Sequence, residues 1–193
     1  MALHITQDAD ADALLTSDPL ALVIGMVLDQ QIPLERAFRA PLELRQRLGG
    51  RLDAGEIAAM DPDELAARFS AKPALHRFPA SMAQRVQAVC ALVAERHAGD
   101  ASGLWSGAPD GETLVAGIAA LPGFGPQKAR IFVALLGKQL GVRPPGWREA
   151  CAPFGEPGVA QSVADIDSPE ALTRVRQAKQ RMKAATRSGA SKG

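Results

Sequence analysis

Residues 121–129 read Leu-Pro-Gly-Phe-Gly-Pro-Gln-Lys-Ala, and this stretch constrains the fold more than any other part of the chain. An apolar helical segment precedes it and a second one follows it, so two helices meet at a turn that carries Gly-x-Gly. Gly123 and Gly125 lack a Cβ, which lets the turn take positive φ and lets another molecule approach the backbone closely. The pattern predicts a helical hairpin.

The start of the second helix in this hairpin favours a bound anion. Pro126 is expected in the first helical turn, where its missing N–H costs nothing. The amides of Gly125, Gln127 and Lys128 then have no helical partner and face outward, which suits a phosphate diester. Lys128 adds a cation. The simpler alternative is a helix–turn–helix corner with a glycine cap and no ligand.

The nine residues LPGFGPQKA resemble the hairpin of the helix-hairpin-helix DNA glycosylases, the superfamily of endonuclease III, an adenine glycosylase and the 3-methyladenine glycosylases. The resemblance implies an all-α, two-lobed helix-hairpin-helix DNA glycosylase-like fold that holds double-stranded DNA, damaged or abasic, in a cleft and flips a base out of the duplex. We expect a six-helix lobe at residues 20–137. Residues 1–19 and 138–193 would form the second lobe, with 186–193 as a disordered tail by composition.

Composition agrees with a helical protein and limits its partners. Apolar residues make up 47% of the 193 residues, and runs of β-branched or aromatic residues are few. The formal net charge is only +1, so affinity for DNA must come from a local patch. The two cysteines are too few for the iron–sulfur cluster of endonuclease III, so we expect no cofactor. We also expect a cytoplasmic monomer, and read neither a membrane span nor a secretory signal.

A second DNA contact is expected after the apolar segment Leu20–Leu28, where the chain reads Asp29-Gln30-Gln31. In the family, a glutamine from such a turn lines or enters the base stack. By position this role falls to Gln31 and less directly to Gln30. The alternative is that both amides cap the end of the helix.

The hairpin also departs from the family in its catalytic lysine. Bifunctional members carry a lysine two residues beyond the second glycine, which attacks C1′ and forms a Schiff base. Gln127 occupies that position here. Lys128 is adjacent, but one residue rotates a side chain by about 100° around a helix, so we expect it to point elsewhere. The sequence therefore predicts no lyase activity.

The family's catalytic carboxylate is missing as well. An aspartate opens the next helix about 18 residues after the lysine position, and here that count reaches Pro145. Residues 129–148 contain no acid, and Glu149 is the nearest one. Asp29 is the other candidate, since its helix end should line the same cleft, although an ionised Asp beside phosphates is repelled.

Trp147 has two interpretations, a packing residue between the lobes or one wall of a pocket for the flipped base. His76 and Arg77 either face a backbone phosphate or are plain surface residues. The basic face of the last helix is either solvated or contacts phosphates; it consists of Arg174, Arg176, Lys179, Arg181 and Lys183.

The resemblance implies that Leu121 and Phe124, which flank Gly123, belong to the DNA-binding hairpin. It also implies a monovalent cation on the carbonyls of Ala119, Leu121 and Gly123 when DNA is bound. The expected function is base excision repair by a monofunctional DNA N-glycosylase or a divergent derivative. The alternative is a non-catalytic binder of lesions or DNA structures that keeps the hairpin and has lost the acid.

Overall fold

The computed structural model describes the backbone of residues 2–190 and the side chains of 2–178, 180 and 181. The described chain is helical and contains no strand, which confirms the predicted all-α class. The ten α-helices are α1 Ala9–Ser17, α2 Pro19–Leu28, α3 Leu34–Arg47, α4 Ala54–Ala59, α5 Pro62–Ser70, α6 Pro79–His97, α7 Gly111–Ala119, α8 Pro126–Gln139, α9 Trp147–Ala150 and α10 Pro169–Ala190. Short 3₁₀ helices lie at Ala101–Leu104 and Val163–Asp165.

Helix α2 is the centre of the core. Asp18 caps it by accepting hydrogen bonds from the amides of Leu20 and Ala21, and Pro19 takes the first helical position. All nine residues from Leu20 to Leu28 are buried, because α1, α3 and α6 pack around this helix. The last turn of α2 therefore has a fixed position, and the loop after it is held against the rest of the molecule.

Three elements are more regular than their composition suggests. Helix α3 continues through Pro41, which is buried inside it, although a proline often breaks a helix. Residues 98–111, which are rich in glycine, serine and aspartate, contain a 3₁₀ helix, and the Trp105 ring packs edge-on against Phe132 at 5.8 Å. Helix α10 extends to Ala190, so residues 186–190 are helical where a disordered tail was expected. The remainder of that tail, residues 191–193, lies outside the described residues.

Helices α7 and α8 form the predicted hairpin, and both are anchored on the core through Leu114, Ile118 and Phe132. Within the described residues, no single helix is long and apolar enough to cross a membrane. The pair α1 and α2 has the length and apolar content, but its two helices are bent by 114°. The division into lobes at residues 20–137 stays a prediction.

Candidate nucleic-acid interface

The turn between α7 and α8 has the geometry that its two glycines predict. Gly123 has φ +82°, which favours glycine, and the amide of Phe124 donates to the Leu121 carbonyl at 3.0 Å. Gly125 is the N-cap of α8, and Pro126 follows in the first turn. Within the described residues, the amides of Gly125, Gln127 and Lys128 have no intramolecular acceptor. The turn thus presents three backbone donors at the positive end of a 14-residue helix.

The two apolar residues of the turn anchor it. Leu121 and Phe124 are 4% and 8% exposed, and the Phe124 ring lies 5.9 Å from the Phe132 ring. Their side chains therefore face the core, and any contact of these residues with a ligand is through the backbone. Gly125 and Gln127 are exposed, and a Cβ built on Gly125 would meet no atom within 4 Å. The space in front of Gly125 is open to a large ligand.

The Lys128 side chain is half-buried and runs towards the end of α2, unlike that of the exposed Gln127. Its side chain crosses the Phe124 ring, with Nζ 5.8 Å from the ring centroid, and donates to the carbonyl of Val27 at 3.2 Å. Val27 lies in the last turn of α2, next to Asp29. Burial lowers the pKa of Lys128 from 10.5 to about 8, with Asp29 opposing the shift and Arg85 adding to it. The long, flexible side chain of Lys128 thus reaches the end of α2, which the position of this residue on the helix does not by itself predict.

The loop after α2 holds one glutamine and exposes the other. The Gln30 side chain accepts a hydrogen bond from Arg85 at 2.7 Å and donates one to the Val27 carbonyl at 2.9 Å. The backbone carbonyl oxygen of Gln30 lies 2.9 Å from His76 Nε2. Gln31 is exposed and has φ +57°, a conformation that is uncommon for a residue with a side chain. Gln30 is therefore a structural part of the loop, and Gln31 is the glutamine that faces solvent.

One carbonyl joins the hairpin to this loop. Val27 O accepts from both Gln30 and Lys128, and Gly123 lies against Arg85, whose Cδ would be 3.4 Å from a Cβ at that glycine. The same arginine holds Gln30. The two predicted DNA contacts, which are about 100 residues apart in sequence, are thus parts of one surface.

Asp29 lies on this surface and ends α2. It is half-buried, and its carboxylate interacts electrostatically with Lys128. It also lines a groove between the α2–α3 loop and α10, whose apolar walls are Ile32, Pro33, Leu34, Leu172 and Val175. Arg176 pairs with Glu35 beside the groove. Asp29 is therefore the candidate acid that the structure brings next to the hairpin.

Glu149 and Trp147 lie elsewhere. A Cβ on Gly137 would be 2.3 Å from the Trp147 ring, so this indole packs on α8 near its C-terminal end and is 6% exposed. Gly137 is 11 residues beyond Pro126, or about 16 Å along the helix axis from the hairpin turn. Glu149 is exposed in the same short helix. This placement favours the packing interpretation of Trp147 and separates Glu149 from the hairpin.

Sequence reasoning missed Phe78. It is the exposed large hydrophobic residue of the described chain, at 43%, and the Arg77 guanidinium carbon lies 5.3 Å from its ring centroid. Neither interpretation of His76 holds, because this residue is 3% exposed. The Nδ1 atom of His76 accepts a hydrogen bond from the backbone amide of Phe78. The proton of the ring is therefore on Nε2, which donates to the backbone carbonyl of Gln30. Phe78 is thereby tied to the Gln30–Gln31 loop. The only signal in the sequence was an aromatic residue directly before a helix-starting proline.

Replacing Lys128 with Met should raise the melting temperature at pH 7 by roughly 2–4 °C, or about 1 kcal/mol. Because the pKa of Lys128 falls from 10.5 to about 8 on folding, the folded protein disfavours the charged amine. The loss of folding free energy caused by this charge is complete below pH 8 and disappears as the pH rises towards 10.5. The increase in stability in Lys128→Met should therefore become smaller over the same pH range. Thermal unfolding at several pH values measures it. Arg130→Met, at an exposed site on α8, is the control, and an equal gain there would contradict the assignment.

Within the described residues, no group of three or more His, Cys, Asp and Glu side chains is placed to hold a metal ion. No curated protein and no solved structure matches the chain significantly. The model of the HhH-GPD superfamily base excision DNA repair proteins matches residues 24–191, which include the α2–α3 loop and the whole hairpin. The chain therefore belongs to the HhH-GPD superfamily of base excision DNA repair proteins.

Proposed function

We propose that this base excision repair protein is a monofunctional DNA N-glycosylase that acts as a monomer on a damaged base in double-stranded DNA. The observation that carries the proposal is the single surface formed by the hairpin amides, Lys128, Asp29 and Gln31. On this surface, open backbone donors lie near a carboxylate and an exposed polar side chain.

The residues divide into binding and chemistry. The amides of Gly125, Gln127 and Lys128 hold one backbone phosphate, in the manner of helix N-termini. Gln31 enters the base stack from its exposed loop position, and Phe78 stacks on a neighbouring base, because aromatic faces bind any base. With DNA bound, the carbonyls of Ala119, Leu121 and Gly123 take a monovalent cation.

Asp29 supplies the catalytic carboxylate, as electrostatic stabiliser and general base. As the C1′–N bond breaks, its electron pair leaves with the base, which takes up a proton, and positive charge develops on the sugar. The Asp29 carboxylate stabilises that charge and accepts a proton from the water that attacks C1′. An ionised Asp29 is repelled by nearby DNA phosphates. The positive charge of Lys128, which interacts electrostatically with Asp29, offsets that repulsion.

The groove beside Asp29 receives the flipped base. Its lining is mainly apolar, with a few polar side chains such as Glu35 and Gln180, as is usual for sites that bind a small organic group. A base held there would lie with its glycosidic bond near the carboxylate. This assignment gives Trp147 no role in base binding, since its ring is buried against Gly137.

Borohydride trapping on an abasic-site duplex at pH 7 should give no covalent complex. Gln127, which stands at the position of the family's Schiff-base lysine, has no amine with which to attack C1′. The Lys128 amine is held elsewhere, by the Val27 carbonyl at 3.2 Å. The products should be free base and an intact strand with an abasic site. A trapped band that disappears in Lys128→Ala would make Lys128 the nucleophile and the enzyme bifunctional.

A further inference from the structure

A second charged site lies far from the hairpin, at the C-terminal end of α8. A cavity of about 360 Å³ opens between this helix end, α10 and the segment 155–160. The charged side chains that line it are Lys138, Arg143, Arg148, Arg174, Asp165 and Asp167. Lys138 is 12 residues beyond Pro126, so the cavity lies about 18 Å along α8 from the hairpin turn.

One pair of these charges is internally compensated. Lys138 Nζ lies 2.6 Å from Asp165 Oδ1, and the Asp165 side chain is 5% exposed. The other Asp165 oxygen accepts from the amides of Gln161 and Ser162, each at 3.0 Å. These contacts fix the Lys138–Asp165 pair in one position. It forms a rigid, nearly neutral part of the cavity wall.

The remaining charged side chains of the cavity are three arginines and one acid, Asp167. Arg143 donates through Nε to the Gly137 carbonyl at 2.7 Å, and the Arg148 guanidinium carbon lies 4.8 Å from the Trp147 ring centroid. Both guanidinium groups are thus held in place by contacts that leave other N–H donors unused. Among the described residues, Arg174 has no hydrogen-bond or ion-pair partner. Three guanidinium groups around one small space repel one another unless an anion lies between them.

Backbone donors line the same cavity. Gly158, Val159 and Ala160 belong to its wall, and within the described residues their amides have no intramolecular acceptor. Gly158 has φ +76°. Successive free amides next to arginine side chains are the donor set that phosphate oxygens prefer, because guanidinium and phosphate form paired, charge-assisted hydrogen bonds.

We propose that this cavity binds a phosphate group, with Arg148 and Arg174 as its main ligands. The phosphate comes either from a DNA strand that extends beyond the hairpin or from a free phosphate ion. The site goes beyond base excision at Asp29, and binding of free phosphate does not depend on that chemistry. It also gives part of the basic face of α10 a role, since Arg174 lines the cavity while Arg176 pairs with Glu35.

The test is calorimetric titration of the full chain with inorganic phosphate at constant ionic strength. Arg148→Gln and Arg174→Gln should each weaken phosphate binding at least fivefold, while Arg96→Gln, an exposed arginine of α6, should leave it unchanged. Arg174 has no partner among the side chains that the structure describes, so its variant should fold normally even if loss of the Trp147 contact destabilises Arg148→Gln. Phosphate binding that neither cavity variant weakens would overturn the proposal.

In a second experiment, the affinity of the same variants for duplex DNA is measured as a function of salt concentration. If free phosphate does not bind but the phosphate of a DNA strand does, Arg174→Gln should reduce the slope of log K against log salt by about 0.9, the value for one lost phosphate contact. Arg96→Gln should not change that slope. No binding of free phosphate together with an unchanged slope in Arg174→Gln overturns the proposal for both sources.

Discussion

Gly125→Val should lose about 100-fold in affinity for a duplex with an abasic-site analogue. The variant places two methyl groups in the open space in front of the hairpin amides, where a Cβ meets no protein atom within 4 Å. A phosphate could then no longer approach the donors of Gly125, Gln127 and Lys128. Losing at least two of these three hydrogen bonds to a charged group costs about 3 kcal/mol, which corresponds to that factor.

The same substitution should change folding little. Gly125 has φ −108° and ψ 173°, which is extended backbone that any residue adopts, so valine introduces no backbone strain. It replaces a good N-cap with a poor one, at a cost of about 1 kcal/mol. Thermal unfolding measures this part separately from DNA binding.

Gly117→Val is the matched control for this loss of affinity. Gly117 is exposed on α7, the first helix of the hairpin, and a Cβ there also meets no atom within 4 Å. Its affinity should equal that of the wild type in a fluorescence anisotropy titration at fixed salt. If Gly125→Val binds as tightly as Gly117→Val, the hairpin turn does not contact DNA and the proposed interface is wrong.

The sequence predicted the hairpin because the signals are local. Gly123, Pro126 and the flanking apolar residues determine a turn between two helices whatever surrounds them, and the observed helix bounds agree. Asp18 and Pro19, which begin α2, are local signals of the same kind. Family membership follows from the match over residues 24–191, which include the hairpin, so it too was accessible without a structure.

The direction of Lys128 was not accessible, since it depends on tertiary contacts. The rotation of about 100° between neighbouring helical residues is correct for Cβ vectors, but a lysine stem then bends to follow its surroundings. Here the Phe124 ring and the Val27 carbonyl, 101 residues away in sequence, guide the amine into the cleft. The separation of Glu149 from the hairpin likewise depends on how Trp147 packs on Gly137.

Asp29→Asn should slow base release at least 100-fold, or about 2.7 kcal/mol of barrier. An amide cannot carry the charge that stabilises the sugar, nor accept a proton from water. Binding of abasic DNA should be equal or tighter, because a negative charge beside the phosphates has been removed. The pKa of Lys128 should also fall below about 8, since Asp29 is the group that raises it.

Glu149→Gln is the matched control, because it makes the same chemical change at the other candidate acid. Glu149 is exposed in α9, whose Trp147 packs about 16 Å along α8 from the hairpin turn, so its rate should stay within twofold of the wild type. A large loss in Glu149→Gln with none in Asp29→Asn would exchange the roles of the two acids.

The most direct measurement is single-turnover base release from a panel of damaged duplexes by the wild type, Asp29→Asn and Glu149→Gln. We expect release from at least one duplex, a rate at least 100-fold lower for Asp29→Asn, and an unchanged rate for Glu149→Gln. No release from any duplex, with abasic DNA still bound through the hairpin, would contradict it and leave a lesion-binding protein that has lost its catalytic acid.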